Sequence, residues 1–271
     1  RKELDLENKE SCFYIVKRHK PDWIINTAAF TNVDSAETNI QKAFKINYEA
    51  PKEFSKAILS IGGNLLHIST DFVFDGKNKR PYLPNEKTNP INIYGKSKEA
   101  GEKIICEIIG NRKKSVIIRT SWLMSPYGKN FALSILNLLK EKEIISVVND
   151  QFGSPTSCLS LAKTCWQLIE FSGINNSKVL PDIIHWSNKG EASWHDVASF
   201  ILHTANEIGA NMKCKEIKAI KTSDYKYKAK RPKYSVLDSS LTSEILQLEN
   251  ISWKSSLKSI IQELLFENNY K

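Results

Sequence analysis

An α/β fold built on a doubly wound parallel sheet is what this sequence predicts, and three observations predict it. Short apolar runs at Trp23 to Ala29, Asn64 to Ser69 and Ser115 to Arg119 read as buried parallel strands. Helical spacing of apolar residues fills the gaps between them, with Ala43, Ile46, Ala50, Phe54 and Ala57 in Asn39 to Ser60, and Ala100, Ile104, Ile105 and Ile108 in Ser97 to Ile109. The strands run into loops at Phe30 to Asp34, Thr70 to Gly76 and Thr120 to Leu123. In such a sheet these loops share the side beyond the carboxyl ends of the strands, where ligands bind.

Residues 1–150 therefore read as one domain. After Asp150 the character changes: a turn at Gly153-Ser-Pro155 leads to a helix over Leu159 to Phe171 and to short elements around His185-Trp186 and Trp194. Residues 151–271 are expected to form mainly a smaller lobe that closes over the crevice, with some segments returning to the first domain.

A chain of 271 residues with 41% hydrophobic residues can bury a large core. It contains no run of eighteen apolar residues, and Arg1-Lys-Glu-Leu-Asp5 is charged where a signal sequence is apolar, so no membrane span or secretion is expected and the reading is cytoplasmic. The five cysteines are scattered without the close pairs of zinc sites or disulfide frameworks. The net charge of +9 comes from lysines spread over helices, with one dense basic run from Lys213 to Lys233. No nucleic-acid motif accompanies that run, which fits a solvated surface or the rim of a pocket for a phosphorylated small molecule. The histidines lack metal-ligand spacing and no G-x-S-x-G occurs, which argues against a metallohydrolase or a serine esterase.

Tyr94 and Lys98 carry the chemistry. Four residues apart in Asn92-Ile-Tyr-Gly-Lys-Ser-Lys98, at the start of a helical pattern, they share one helix face. An ammonium close to a phenol favours the phenolate, so Lys98 is expected to lower the proton affinity of Tyr94 and make it an acid-base group near neutral pH.

Five ordered stretches resemble dTDP-4-dehydrorhamnose reductases, a family of extended short-chain dehydrogenases. They are Asn26 to Asp34 (NTAAFTNVD), His67 to Gly76 (HISTDFVFDG), Asn89 to Lys98 (NPINIYGKSK), Arg119 to Trp122 (RTSW) and Asn149 to Thr156 (NDQFGSPT). The similarity continues through Ser193-Trp-His-Asp196 and Lys230 to Asp238 (KRPKYSVLD), and covers nearly the whole chain from about Asp5 onward. Family members open with a strand and a glycine-rich turn that holds the cofactor pyrophosphate. This sequence has no G-x-x-G-x-x-G and begins where the family is already at its third strand, so it reads as a fragment lacking roughly one βαβ unit of about 30 residues.

The resemblance implies a Rossmann-like fold and transfer of hydride from NADPH or NADH to the C4 ketone of dTDP-4-dehydro-L-rhamnose. It makes Tyr94 the general acid, sets Lys98 on the nicotinamide ribose and puts Thr70 on the carbonyl oxygen. Asp5, Leu6, Ala29, Phe30 and Thr31 match cofactor contacts, together with Tyr94 and Lys98. Val33, Thr70, Asp71, Trp122, Asn130 and Arg231 match the substrate side, with Gln151 as a further candidate. Other readings stay open on the residues alone: Asp71 as a turn residue, Trp122 as core packing, Asp5 as a free surface carboxylate, and Asn130, Gln151 and Arg231 as ordinary surface groups. The implied partner is a dTDP-sugar, with no nucleic acid and no membrane, and a homodimer with magnesium at its interface is compatible with the family. Two other functions keep the same motifs. One is a noncatalytic subunit similar to the methionine adenosyltransferase beta subunit, and the other a sugar-nucleotide epimerase.

Overall fold

The computed structural model describes residues 3–110, 115–174 and 180–266. Its strands of three residues or more are, in chain order, β1 (Trp23–Asn26), β2 (Asn64–Thr70), β3 (Ser115–Thr120), β4 (Ile144–Val148), β5 (Ile183–His185) and β6 (Glu216–Ile220). The longer helices are α1 (Lys9–His19), α2 (Ala50–Ile61), α3 (Ile93–Ile109), α4 (Phe131–Glu141), α5 (Cys158–Ile174), α6 (Trp194–Glu207) and α7 (Trp253–Phe266).

The main sheet has the order β1-β2-β3-β5, all parallel, with Ile25 opposite Leu66 and His67 opposite Ile117. Side chains alternate across it, as a pleated strand requires. Leu65 and Ile117 pack with Cys12 and Val16 of α1, Phe54 and Ile58 of α2, and Ile105 and Ile109 of α3. Leu66, Val116 and Ile118 face the other way onto Leu161, Cys165 and Leu168 of α5. Helices on both faces are what a doubly wound sheet needs to bury strands that are apolar throughout. The helix expected in the smaller lobe, α5, lies on this sheet instead, because its buried stripe matches the face that α1, α2 and α3 leave open.

The second body is built on α4, α6 and α7, with Leu136, Leu139, Val197, Ile201, Leu257 and Ile261 in its core. The parallel pair β4 and β6 packs against it through Ile145, Val147 and Ile217. A capping box, in which the Ser193 and Asp196 side chains bond each other's backbone amides, starts α6. Two-residue pairs, Leu123–Met124 with Thr156–Ser157 and Phe152–Gly153 with Ala192–Ser193, join the two bodies near the crevice. The basic run contributes β6, whose Lys218 is exposed, and then Lys226, Lys228 and Lys230, also exposed. Among the described residues no helix is long and apolar enough to cross a membrane.

The stretch expected as one helix from Asn39 is broken by a π turn at Lys45–Glu49, preceded by a short α-helical segment at Ile40–Phe44 and followed by α2. Single π turns inside helices recur at functional sites. This one aims Asn47 inward, and α3 comes so close to it that a Cβ on Gly101 would meet the Asn47 carbonyl oxygen.

Candidate active site

The site begins where β2 ends. Thr70, its last residue, is extended and caps the following turn by accepting from the Phe72 amide at 3.2 Å. The N-terminus of α3 closes onto this turn, and a Cβ at Gly95 would run into the Phe72 carbonyl oxygen. Asn92 caps α3, with its side chain accepting from the Gly95 amide at 2.7 Å. These two constraints bring Tyr94, the residue before the glycine, next to the turn that Thr70 opens, and the phenol ring lies edge-on to Phe72 with centroids 5.8 Å apart.

Lys98 lies one turn along α3, fully buried, its ammonium donating to the Ile68 carbonyl at 2.6 Å and lying 3.1 Å from His67 Nε2. On the far side of that ring Asn26 Nδ2 is 3.0 Å from Nδ1. Burial lowers the Lys98 affinity for its proton to about 8, against the pull of the Glu102 carboxylate. His67 is held well below its ordinary value, by burial first and then by the Lys98 charge. Behind β2, Glu102 receives both the Arg119 guanidinium, as a fork at 2.7 to 3.2 Å, and the Ser69 hydroxyl at 2.5 Å.

The lowering of Tyr94 expected from Lys98 is outweighed. The phenol is pushed up to about 12, by burial foremost and by the Asp71 carboxylate as well, against the pull of the neighbouring Thr70. The tyrosine side chain is partly exposed, and the Lys98 ammonium is spent on Ile68 and His67 instead. Desolvation wins over a charge that does not reach the oxygen. Tyr94 is therefore a phenol at neutral pH, which suits a proton donor.

Asp71 sits beneath this pair with 2% exposure. One oxygen accepts from Thr70 Oγ1 at 3.1 Å and the other from Ser235 Oγ at 2.5 Å. Burial raises its affinity to about 7, despite the opposing pull of Ser235 and Thr70.

The cofactor candidates fall on the loop after β1. Asp5, Leu6, Ala29 and Thr31 line a cavity of about 770 Å³ together with Thr27, Ala28, Lys42 and Ile46. Leu6 also leans on the core under α1, and Asp5 accepts from the Glu7 amide at 3.0 Å. Phe30 is fixed through its backbone: Asn47 accepts from its amide at 2.8 Å and donates to its carbonyl at 3.1 Å, while reaching Ser97 at 2.9 Å. Asn47 thus ties the cavity loop to α3 next to Lys98. Sequence reasoning missed it because a π turn carries no pattern of its own; a polar residue inside an apolar helical stripe was the available signal.

The substrate candidates scatter. Val33 opens a short helix at Val33–Ala36 that Asn32 caps. Trp122 has a left-handed backbone, φ 47°, and its indole stacks on Trp194 at 3.4 Å and 4° over Gly153. Its packing role is real, and the strained backbone that holds it is of the kind found at ligand clamps. Asn130 is a helix cap: it accepts from the Leu133 amide and donates to the Ser125 and Tyr127 carbonyls. Gln151 is buried between Thr222 and the Trp194 ring nitrogen. Arg231 does not present a free fork, because Asp34 occupies it at 2.6 and 3.2 Å, and the guanidinium lies 3.6 Å over the Tyr227 ring. Asp34 also accepts from the Lys228 and Ala229 amides at 2.9 Å, clasping residues 228–231 to the loop after β1. Among the described residues no group of three or more His, Cys, Asp or Glu is placed to hold a metal ion.

The family model for the RmlD substrate binding domain matches residues 1–266. A dTDP-4-dehydrorhamnose reductase of Aggregatibacter actinomycetemcomitans is 35% identical over 260 residues, covering 95% of this chain and 86% of that protein. The protein of the same description from Shigella flexneri is also 35% identical, over 96% of this chain and 85% of its own length. Among solved structures, the dTDP-4-dehydrorhamnose reductase of Bacillus anthracis in complex with NADP superposes with a TM-score of 0.87 at 36% identity, over 97% of this chain and 88% of that one.

Proposed function

This chain belongs to the RmlD substrate binding domain family, the dTDP-4-dehydrorhamnose reductases, and from that premise we propose how its own residues carry the reaction. The activity is the reduction of the C4 ketone of dTDP-4-dehydro-L-rhamnose to dTDP-L-rhamnose, with NADPH as the reductant. The observation that carries the assignment is the placing of Tyr94, at the start of α3, beside the turn that Thr70 opens at the end of β2, one helical turn from a buried Lys98.

The residues that would hold the dinucleotide are Asp5, Leu6, Ala29, Phe30 and Thr31, with Tyr94 and Lys98 at the nicotinamide end. The fit rests on the 770 Å³ cavity, where Ala28 and Ala29 let a ligand approach the backbone closely. When bound, the nicotinamide would supply the hydride. Thr70 steadies the ketone oxygen, and Tyr94, protonated at neutral pH, delivers its proton to that oxygen. Lys98, already short of its ordinary affinity, gains acceptors when ribose hydroxyls arrive, and its charge then lies where it eases the loss of the phenol proton. The strained Trp122 offers an apolar face to the sugar or base, and Arg231 reaches the diphosphate only by exchanging Asp34 for it. Residues 1–150 act as the dinucleotide-binding part and much of 151–271 as the substrate side.

The test is oxidation of NADPH by the full-length protein, dependent on dTDP-4-dehydro-L-rhamnose, with the product identified as dTDP-L-rhamnose. Tyr94→Phe is expected to lower kcat by about 10² to 10⁴ with a small change in KM. No turnover by the wild type, or an unchanged rate in the variant, removes the assignment.

A further inference from the structure

We propose that His67 is a positioning residue that ties the charge of Lys98 to the cofactor cavity, its tautomer deciding whether Asn26 holds the Ala28 amide or leaves it to a ligand. The proposal rests on the reductase reading above and goes beyond it by joining Lys98 to the loop on which the dinucleotide is to lie.

Four groups form one chain across two neighbouring strands. His67 of β2 stands opposite Asn26 of β1 in the parallel pairing, and its Nδ1 is 3.0 Å from Asn26 Nδ2. Its other ring nitrogen, Nε2, is 3.1 Å from Lys98 Nζ, which donates to the Ile68 carbonyl at 2.6 Å. At the opposite end Asn26 Oδ1 accepts from the Ala28 amide at 3.3 Å, and Ala28 lines the 770 Å³ cavity. The Asn26, His67 and Lys98 side chains are all buried, so their partners must come from the protein.

Both ring nitrogens of His67 thus face a nitrogen. A neutral imidazole has one N–H and one lone pair, so it donates on one side and accepts on the other. A doubly protonated ring would set a second cation 3.1 Å from Lys98, and His67 is held well below its ordinary value by burial and then by the Lys98 charge.

Two arrangements satisfy the ring. With Lys98 as an ammonium, Nε2 accepts from it and the ring proton sits on Nδ1. Asn26 must then turn its carboxamide oxygen to Nδ1, which leaves its NH2 group toward Ala28; that group cannot accept, and the Ala28 amide is released to the cavity. With Lys98 as an amine, Nε2–H donates to the amine lone pair, Nδ1 accepts from Asn26 Nδ2, and Asn26 Oδ1 takes the Ala28 amide in the orientation the structure shows. An ammonium combined with that Asn26 orientation would aim donors at both ring nitrogens.

A ligand oxygen on the Ala28 amide selects the first arrangement. Its arrival favours the charged Lys98, and the charged Lys98 favours its arrival by the same factor. The ammonium then has one proton on Ile68, one on His67 and a third left for a ribose hydroxyl. Lys98, with an affinity of about 8, lies where both arrangements are within reach. The charged and titratable groups that the neighbouring elements bring toward the chain are Tyr94 and Glu102 of α3, Asp71 beyond β2 and Arg119 of β3. Glu102 and Arg119 hold each other, and the Asp71 oxygens accept from Thr70 and Ser235.

Nitrogen NMR of the full-length protein reads the tautomer directly. Without cofactor, His67 should carry its proton on Nδ1 at pH 6.5 and on Nε2 at pH 9.5, changing over near 8, and the Ala28 amide signal should move in the same transition. NADPH added at pH 8.5 should restore the Nδ1–H form. Lys98→Met, which has no ammonium, should hold one tautomer throughout, which assigns the transition to Lys98 rather than to Asp71. A wild-type ring that keeps one tautomer from pH 6.5 to 9.5, or an Ala28 amide that does not follow the ring, overturns the proposal.

Turnover with NADPH and dTDP-4-dehydro-L-rhamnose separates positioning from packing. His67→Phe fills the space without a nitrogen and should lose at least tenfold in kcat and raise KM for NADPH. His67→Gln offers Lys98 a carboxamide oxygen near the place of Nε2 but does not reach Asn26; it should recover kcat to within threefold, while KM for NADPH stays raised and the Ala28 signal no longer responds to pH. Wild-type kinetics in His67→Phe would make the ring mere packing and overturn the proposal. A wild type whose ring switches as described but that does not reduce the dTDP-sugar overturns the reductase reading instead.

Discussion

The inner and outer halves of this site handle charge in opposite ways. Around Lys98, Asp71 and Tyr94 the lysine and the aspartate are buried, and three proton affinities are displaced by desolvation. Around Arg231 and Asp34 the groups remain in touch with solvent, with Asp34 36% exposed, and the ion pair itself lowers the Asp34 affinity to about 2. The inner half holds groups in states they would not choose in water, which is what proton transfer to a ketone needs. The outer half uses an inexpensive, exchangeable pair, which suits a clasp over a ligand.

The comparison is broken most directly at Lys98. Lys98→Met keeps the stem and removes the charge; kcat is expected to fall by about 10² while the folded state becomes more stable at pH 7, a trade of stability for function. The native affinity of about 8 lies below the ordinary 10.5, so between those values the unfolded chain binds more protons and wild-type stability rises with pH. The penalty of burying Lys98 is therefore full below pH 8 and relieved as pH approaches 10.5. It is on the order of 2 to 3 kcal/mol, from which the lost hydrogen bond to Ile68 subtracts about 1. Urea unfolding of both proteins at pH 7 and pH 10 should show the variant's advantage shrinking. A variant less stable at pH 7 would mean that Lys98 is structural first.

Glu102 gives a second, oppositely signed test inside the same half. Its pairing with Arg119 is 3% exposed on both sides and is backed by Ser69 and by the Pro84 carbonyl on Arg119. Glu102→Leu strands a buried guanidinium and should cost about 3 to 5 kcal/mol in chemical unfolding. Loss below about 1 kcal/mol would show that water reaches the pair and that the inner half is wetter than its geometry indicates.

How much of this was legible in the sequence follows the same division. The strands were readable because parallel strands buried on both faces must be apolar throughout, as Leu65, Leu66, Ile117 and Ile118 are. Tyr94 and Lys98 were readable because helical periodicity alone puts them on one face. Their electrostatics were not, since the sign of the Tyr94 shift depends on whether the Lys98 ammonium reaches the phenol or the Ile68 carbonyl, and no spacing encodes that. β6 was hidden by its composition: Glu216 and Lys218 are exposed, so the strand reads as part of a basic run. The Asp34–Arg231 clasp joins positions 197 apart and leaves no local trace. Asn130 and Arg231 were identified by residue type, but the type fits a helix cap and an ion pair as well as a nucleotide contact, and the fold decides between them.

The smallest effect belongs to the clasp and tests whether it is as cheap as its exposure suggests. Arg231→Ala should cost the folded protein about 1 kcal/mol, since the partly exposed Asp34 leaves the pair screened by solvent and salt. KM for the dTDP-sugar should rise about tenfold, with kcat nearly unchanged, because a charge-assisted fork to a diphosphate contributes to binding in ground and transition states alike. Acid adds a signature with a definite sign. The native Asp34 affinity of about 2 lies below the ordinary 3.8, so its stabilisation is complete above 3.8 and is lost as pH falls toward 2. Wild type and Arg231→Ala should therefore differ in thermal stability at pH 5 and converge at the acid end of the range. Were the two to differ equally at pH 5 and pH 2, the guanidinium would be stabilising the fold through its stacking on Tyr227 rather than through Asp34. The clasp would then be anchored packing that a diphosphate could not displace.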